Sequence, residues 1–463
     1  MIEVGLSALG IVEAINKGKT TAVDVLSLHL EKIEQDNVKI NAFTKIHYER
    51  AYSQARKVDR IHANGQSLPL AGVPFAVKNL FDICDQKTYA GSKINESLAP
   101  SKKDAVLITR LEQAGAVLVG SLNMGEYAYD FTGENAHFGA CRNPWDLDRM
   151  AGGSSSGSAA ALSAGCVPLT LGTDTNGSIR VPSAFCGVWG LKPTYGRLPR
   201  SGTFPFCNSL DHVGPMARSV ADLHRAYTTI QGHHGGDAAC IANIPPRKEP
   251  NFPLRIGLAT GYFADGVFSD TEGLAQHCCN ALLERGHSVV EIDLPNMEEV
   301  RAAAFLITNI ESGQLHRERL LRQPEDFDPE TRDRFLAGNL LPAAWYIRAQ
   351  RARNHFAKAS AVAMADVDCL IAPATPSFAP LLGQKTFKIF ERDVPLRPNL
   401  GYFTQPISCI GLPVISAPLL AQSTLPLGVQ LIGHSWGEDA CFMVAAELEQ
   451  IGICQSKVAK NFL

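Results

Sequence analysis

The 463-residue sequence predicts an α/β protein built on a mixed or parallel sheet. Three observations predict it. Short apolar runs of strand length recur along the whole chain. Between them lie stretches with apolar residues at helical spacing, several closed by glycine. The balance of 45% hydrophobic and 19% charged residues is that of an ordinary globular protein.

Taken in order, residues 21–34 form an amphipathic helix, with Val23, Leu26, Leu30 and Ile33 on one face and Thr21 with Asp24 as a capping box. Strand-like runs follow at 72–77, 117–120, 167–171, 255–259, 289–292, 369–372, 414–417 and 429–432. Helices are expected over 105–113, ended by Gly115, and over 271–284, ended by Gly286. A further long helix, rich in Ala and Arg, is expected over 343–363. No internal repeat is present, and 244–253 is the most linker-like stretch. It is short enough to read as a surface crossover within one domain.

Several function classes fit poorly. The net charge of −3 and the lack of a basic stripe argue against direct nucleic-acid binding. The twelve cysteines include no C-x-x-C pair and the thirteen histidines no H-x-x-x-H pair, so neither a metal nor a cofactor is expected. The cysteines read as reduced, buried thiols. No basic segment leads into an apolar stretch at the N-terminus, and no apolar run reaches the roughly 18 residues of a membrane span. A cytoplasmic protein acting on a small polar molecule is the expectation.

Three segments carry chemistry. The first is Gly152-Gly153-Ser154-Ser155-Ser156-Gly157-Ser158, followed by Ala159-Ala160-Ala161-Leu162. Its composition is that of a flexible linker, but an Ala-rich helix starts at once and apolar strands follow. Gly153-x-Ser155-x-Gly157 formally matches a nucleophile elbow, yet the preceding Asn143-Pro144-Trp145-Asp146 is a turn sequence where that motif needs a strand. A phosphate-binding loop lacks its G-x-x-x-x-G-K-[ST] pattern.

The second segment, Gly172-Thr173-Asp174-Thr175-Asn176-Gly177-Ser178-Ile179-Arg180, runs from a strand into a tight polar loop. Successive small residues let backbone N–H groups converge, as an oxyanion hole requires; alternatively, Ser178 merely caps a turn. The third is Val73-Pro74-Phe75-Ala76-Val77-Lys78-Asn79. A lysine buried in such a run loses its proton more readily and becomes a usable base, unless it sits at a strand end and reaches water.

Together these segments resemble the amidase signature family, whose pattern is G-G-S-S-G-G-S, then G-[ST]-D-x-G-G-S-I-R-x-P, with an upstream lysine. Asn143-Pro144-Trp145-Asp146, Gly190-Leu191-Lys192-Pro193-Thr194, Ser209-Leu210-Asp211-His212-Val213-Gly214-Pro215 and Gly411-Leu412-Pro413 extend the resemblance along nearly the whole chain. It implies a single amidase signature domain over 1–463, a central mixed β-sheet covered by helices on both faces. Residues 1–65 would be an N-terminal helical segment, 66–240 the catalytic core, and 241–463 the rest of the core with substrate-side segments. The resemblance also implies Ser178 as nucleophile, Ser154 as proton relay behind a cis Gly153–Ser154 peptide, and Lys78 as base. Thr175, Asn176, Gly177 and Ser178 would hold the oxyanion through their backbone N–H groups. Asn176 stands where the family usually has glycine, which questions the shape of that loop.

Among the branches of the family, Asp174-Thr175-Asn176-Gly177-Ser178 and Arg397-Pro398-Asn399-Leu400-Gly401-Tyr402 look like the 1-carboxybiuret hydrolases. This implies an ammonia-releasing cleavage of a small acidic ureide and a small helical partner subunit, in a dimer or hetero-oligomer. Arg334 and Arg397 are candidates for holding the substrate carboxylate, and Tyr127 and Asn135 for lining the pocket. The glutaminase subunit of an aminoacyl-tRNA amidotransferase, a general small-amide amidase and a non-catalytic binding protein on the same fold are the alternatives.

Overall fold

Eleven strands drawn from Phe43 to Gly433 pair into one sheet in a computed structural model that describes residues 5–245, 250, 252–264, 269–389, 392–420 and 425–463. From one edge to the other they are Phe43–Ile46, Val117–Leu122, Pro74–Lys78, Leu169–Asp174, His212–Ala217, Trp189–Lys192, Val414–Leu419, Leu427–Gly433, Cys369–Pro373, Arg255–Ala259 and Ser288–Ile292. Pro74–Lys78 runs parallel to both its neighbours, as does Arg255–Ala259, whereas the pairings in the middle of the sheet are antiparallel. The sheet is therefore mixed, and helices pack against it.

All eight expected strands are present, most of them fully buried, because both faces of the sheet are covered and each strand reads as a continuous apolar run. The amphipathic helix expected over 21–34 is Ala22–Ile40, with the Thr21–Asp24 capping box formed. Val106–Gln113 and Leu274–Glu284 are each followed two residues later by a glycine at positive φ, Gly115 at 95° and Gly286 at 92°. Ala343–Ala363 matches its expected span. Residues 246–249 and 251 of the linker-like stretch lie outside the described residues.

Three sheet strands were not expected. Trp189–Lys192 and His212–Ala217 contain Gly, Lys and Pro in so few positions that no apolar run is visible, and Phe43–Ile46 is a short edge strand. Two unexpected helices, Met297–Arg322 and Pro329–Leu340, pack on each other, and the first also packs on Ala343–Ala363. They carry Phe305, Thr308 and Arg334 to the C-terminal side of the loop after Leu169–Asp174. Among the described residues no helix is long and apolar enough to cross a membrane.

Candidate active site

Lys78 ends its strand, and the parallel register with Leu169–Asp174 (Phe75 beside Leu169, Val77 beside Leu171) brings it level with Gly172, next to Thr173. Its Nζ lies 2.8 Å from Thr173 Oγ1 and 2.7 Å from Ser154 Oγ. The side chain has no exposed surface. Burial lowers its pKa from 10.5 to about 7, and the carboxylates of Asp174, Asp211 and Asp130 limit the fall. Lys78 does not reach water.

The Gly/Ser segment is not a linker. It enters the helix Ser156–Ser163, every residue of which is buried. The serines knit this helix to the neighbouring strand. Ser155 Oγ donates to Thr173 O at 3.1 Å and accepts from Thr173 N, and Ser158 Oγ donates to Leu171 O at 3.1 Å. Small side chains let the backbones meet, since a Cβ on Gly157 would run into the Ala42 carbonyl. The Gly153–Ser154 peptide is cis. Ser155 N–H donates to Ser178 O at 3.2 Å, so the two serine segments are tied backbone to backbone. No hydrogen bond joins the Ser154 and Ser178 hydroxyls directly.

The loop carrying Ser178 is organised by Asp174. Its carboxylate accepts from Gly177 N at 2.8 Å and Ile179 N at 3.2 Å, and pairs with Arg180 through Nε and Nη2, both at 2.9 Å. Both side chains are fully buried. Burial alone would raise the Asp174 pKa, but the Arg180 guanidinium outweighs it and holds the carboxyl well below the usual range. Arg180 is fixed in turn by Thr404 O at 3.0 Å and Gln430 Oε1 at 2.7 Å. Neither Asp174 nor Arg180 was singled out from the sequence, although both stand inside the loop motif.

This arrangement corrects the four-donor expectation for the loop. Gly177 N–H is committed to Asp174, while the N–H groups of Thr175, Asn176 and Ser178 donate to no acceptor among the described residues. The concern over Asn176 also resolves. Asn176 is not among the residues at positive φ; Gly177 is, at 137°. The Asn176 amide instead donates to Thr308 Oγ1 at 2.9 Å.

Ser178 opens on a cavity lined by Tyr129, Asn176, Phe206, Phe305, Thr308 and Arg334. The space open to water centres is about 20 Å³, little more than one water requires. Arg334 is half-buried, its guanidinium over the Tyr129 ring at 5.1 Å, and it forms no ion pair or hydrogen bond among the described residues.

The other expected substrate contacts lie elsewhere. Arg397 is held by Asp130 at 2.9 Å, Glu134 at 2.7 Å and Glu330 at 3.3 Å, which saturates its charge. Asn135 spends its amide as a bracket. Its Nδ2 donates to Gly91 O and Met124 O, and its Oδ1 accepts from His137 N and Phe138 N. Tyr127 is core, packed on His316 and Phe204 with its hydroxyl on Asn95. Tyr129, two residues on, lines the cavity in its place.

The profile of the amidase family matches residues 24–442. The chain belongs to this family. It is an amidohydrolase acting on C–N bonds. AtzE, a component of the 1-carboxybiuret hydrolase of Pseudomonas sp. (strain ADP), is 47% identical over 98% of this chain and 100% of that protein. A glutamyl-tRNA(Gln) amidotransferase component from Roseiflexus sp. (strain RS-1) is 35% identical over 95% of each chain. A solved structure, described as an unexpected vestigial protein complex that reveals the evolutionary origins of an s-triazine catabolic enzyme, aligns with a TM-score of 0.93. It is 46% identical and covers 98% of this chain and 100% of its own.

Proposed function

We propose that this amidohydrolase releases ammonia from a small acidic ureide, 1-carboxybiuret being the candidate, with Ser178 as nucleophile, Ser154 as relay and Lys78 as base. The observation that carries the chemistry is a fully buried lysine, lowered to about 7, 2.7 Å from the Ser154 hydroxyl and one serine segment away from Ser178. Neutral Lys78 takes the Ser154 proton as Ser154 takes that of Ser178, and Ser178 Oγ adds to the substrate carbonyl. The free N–H groups of Thr175, Asn176 and Ser178 then receive the oxyanion. The tetrahedral adduct breaks its C–N bond as Ser154 gives its proton to the leaving nitrogen and Lys78 returns one to Ser154, and ammonia departs. Water adds to the acyl-enzyme by the same proton route and frees Ser178. The hydroxyl-to-hydroxyl bond between the serines is expected to form as substrate orders the site.

The unpaired guanidinium of Arg334 in the Ser178 cavity supports an acidic substrate, since a carboxylate would give it the bidentate partner it lacks. Greater identity to the carboxybiuret hydrolase component than to the tRNA-amidotransferase component favours the same branch. A small helical partner subunit, a dimeric or hetero-oligomeric assembly, a cytoplasmic location and a single catalytic domain belong to this reading. The test measures ammonia release by the purified protein from 1-carboxybiuret made in situ, biuret, glutamine and simple aliphatic amides, with Ser178→Ala as control. Release from 1-carboxybiuret that Ser178→Ala abolishes is the expected result. Release from glutamine alone would discard the substrate, and release surviving Ser178→Ala would discard the nucleophile.

A further inference from the structure

Behind the oxyanion loop lie two buried groups that the chemistry above does not use, Lys192 and His212. Lys192 ends the strand Trp189–Lys192, and His212 begins the strand paired with it. His212 Nδ1 lies 2.6 Å from Leu210 O and 3.1 Å from Asp174 O. Carbonyl oxygens only accept, so Nδ1 carries the ring hydrogen and shares it between them. Burial, reinforced by Lys192, keeps the imidazole well below its usual pKa, and the ring is neutral. Its Nε2 therefore offers a lone pair, 3.4 Å from Lys192 Nζ. Lys192 Nζ also donates to Pro193 O at 3.2 Å and to Leu412 O. Three acceptors thus surround Lys192 Nζ, which in its protonated form has a hydrogen for each.

We propose that His212, held by Lys192, is a positioning residue for the oxyanion loop, acting through the Asp174 carbonyl on the Thr175 N–H of the same peptide group. A peptide whose C=O accepts a hydrogen bond becomes a stronger N–H donor. Each bond in such a chain strengthens the next by about 10–30%. The Lys192–His212–Asp174 O chain ends on an N–H that has no acceptor among the described residues. The Thr175 side chain is pinned from the other side, its Oγ1 donating to Asp211 Oδ1 at 2.7 Å, so the peptide plane is fixed. Donor strength and direction at the oxyanion are then set by two residues that never touch substrate.

The inference rests on Ser178 as nucleophile, and its test separates the two. The purified full-length protein, His212→Leu, His212→Asn and Lys192→Met are compared for kcat, KM and the Kd of a small alkylboronic acid, which forms a tetrahedral adduct on a nucleophilic serine. Removing an oxyanion donor outright costs about 10²–10³ in kcat, and weakening one is expected to cost about tenfold. His212→Leu should lower kcat by that factor with KM little changed, and weaken the boronic acid by the same factor. His212→Asn sets an amide N–H where Nδ1 stood and should recover most of both. Lys192→Met, with the imidazole left in place, should move both in the same direction by less, and serves if His212→Leu does not fold. An unchanged boronic acid Kd in His212→Leu and Lys192→Met, or an Asn variant as poor as Leu, would overturn the proposal. Binding of the boronic acid that survives Ser178→Ala would overturn the nucleophile and this proposal with it.

Discussion

Lys78 Nζ lies 2.7 Å from Ser154 Oγ at a point where the lysine has no exposed surface and no carboxylate within hydrogen-bond reach. Hydroxyls are its neighbours on both sides, so nothing there favours the ammonium strongly enough to offset burial.

The first prediction is a pH profile. The base form of Lys78 is the neutral amine, and its pKa is lowered to about 7. kcat/KM should therefore fall about tenfold per pH unit well below 7 and level off above about 8. Lys192, also lowered to about 7 by burial, titrates in the same range. The profile of Lys192→Met checks the assignment, since it should keep the inflection at lower activity. A flat profile from pH 6 to 9 would remove Lys78 as the base.

Stability should move against activity at the same residue. Below about pH 7 the folded protein holds a buried ammonium at full cost, and the unfolded chain holds a hydrated one. Between about 7 and 10.5 only the unfolded chain keeps the proton, so the penalty shrinks as pH rises and vanishes above 10.5. Lys78→Met should abolish turnover yet raise Tm at pH 6, and the gain should fade toward pH 10. Thermal unfolding of the two proteins across that range checks it, and a Tm difference independent of pH would contradict the burial argument.

Arg334 offers a test of substrate charge. A charge-assisted hydrogen bond contributes about 1.5–3 kcal/mol, so Arg334→Ala should raise KM for an acidic ureide by about ten- to a hundredfold. For a neutral amide KM should change little. Steady-state kinetics with one substrate of each kind decides it. Equal effects on both would mean that the guanidinium only packs on Tyr129.

The sequence carried the proposed nucleophile, relay and base because each stands in a contiguous motif whose strand and loop context can be read locally. Lys78 and Thr173 could be expected to meet only once their strands were known to be parallel neighbours. The cavity wall was less legible. Phe305, Thr308 and Arg334 come from helices far along the chain, two of whose spans gave no clear apolar stripe. Tyr127 and Tyr129 exchange roles because the backbone takes positive φ at Tyr127 (46°) and Ala128 (64°), a turn that no residue type there announces. Arg397 was a reasonable carboxylate ligand until the fold brought Asp130, Glu134 and Glu330 around it.

The last prediction concerns Gly177. Its φ of 137° lies where a side chain is strained, and a Cβ there would run into the Thr404 side chain, whose hydroxyl donates to Asn176 O at 2.7 Å. Two costs are therefore superposed, one of backbone and one of space. Gly177→Ala should lower Tm and remove nearly all activity, because the loop can relieve the clash only by turning Asn176 and Ser178 N–H away from the oxyanion. Adding Thr404→Gly removes both the hydroxyl and the Cβ that the new side chain would meet and leaves the backbone strain, so the double variant should regain part of the Tm and little of kcat. Full recovery of kcat in the double variant would show that space alone, and not the Gly177 conformation, sets the loop.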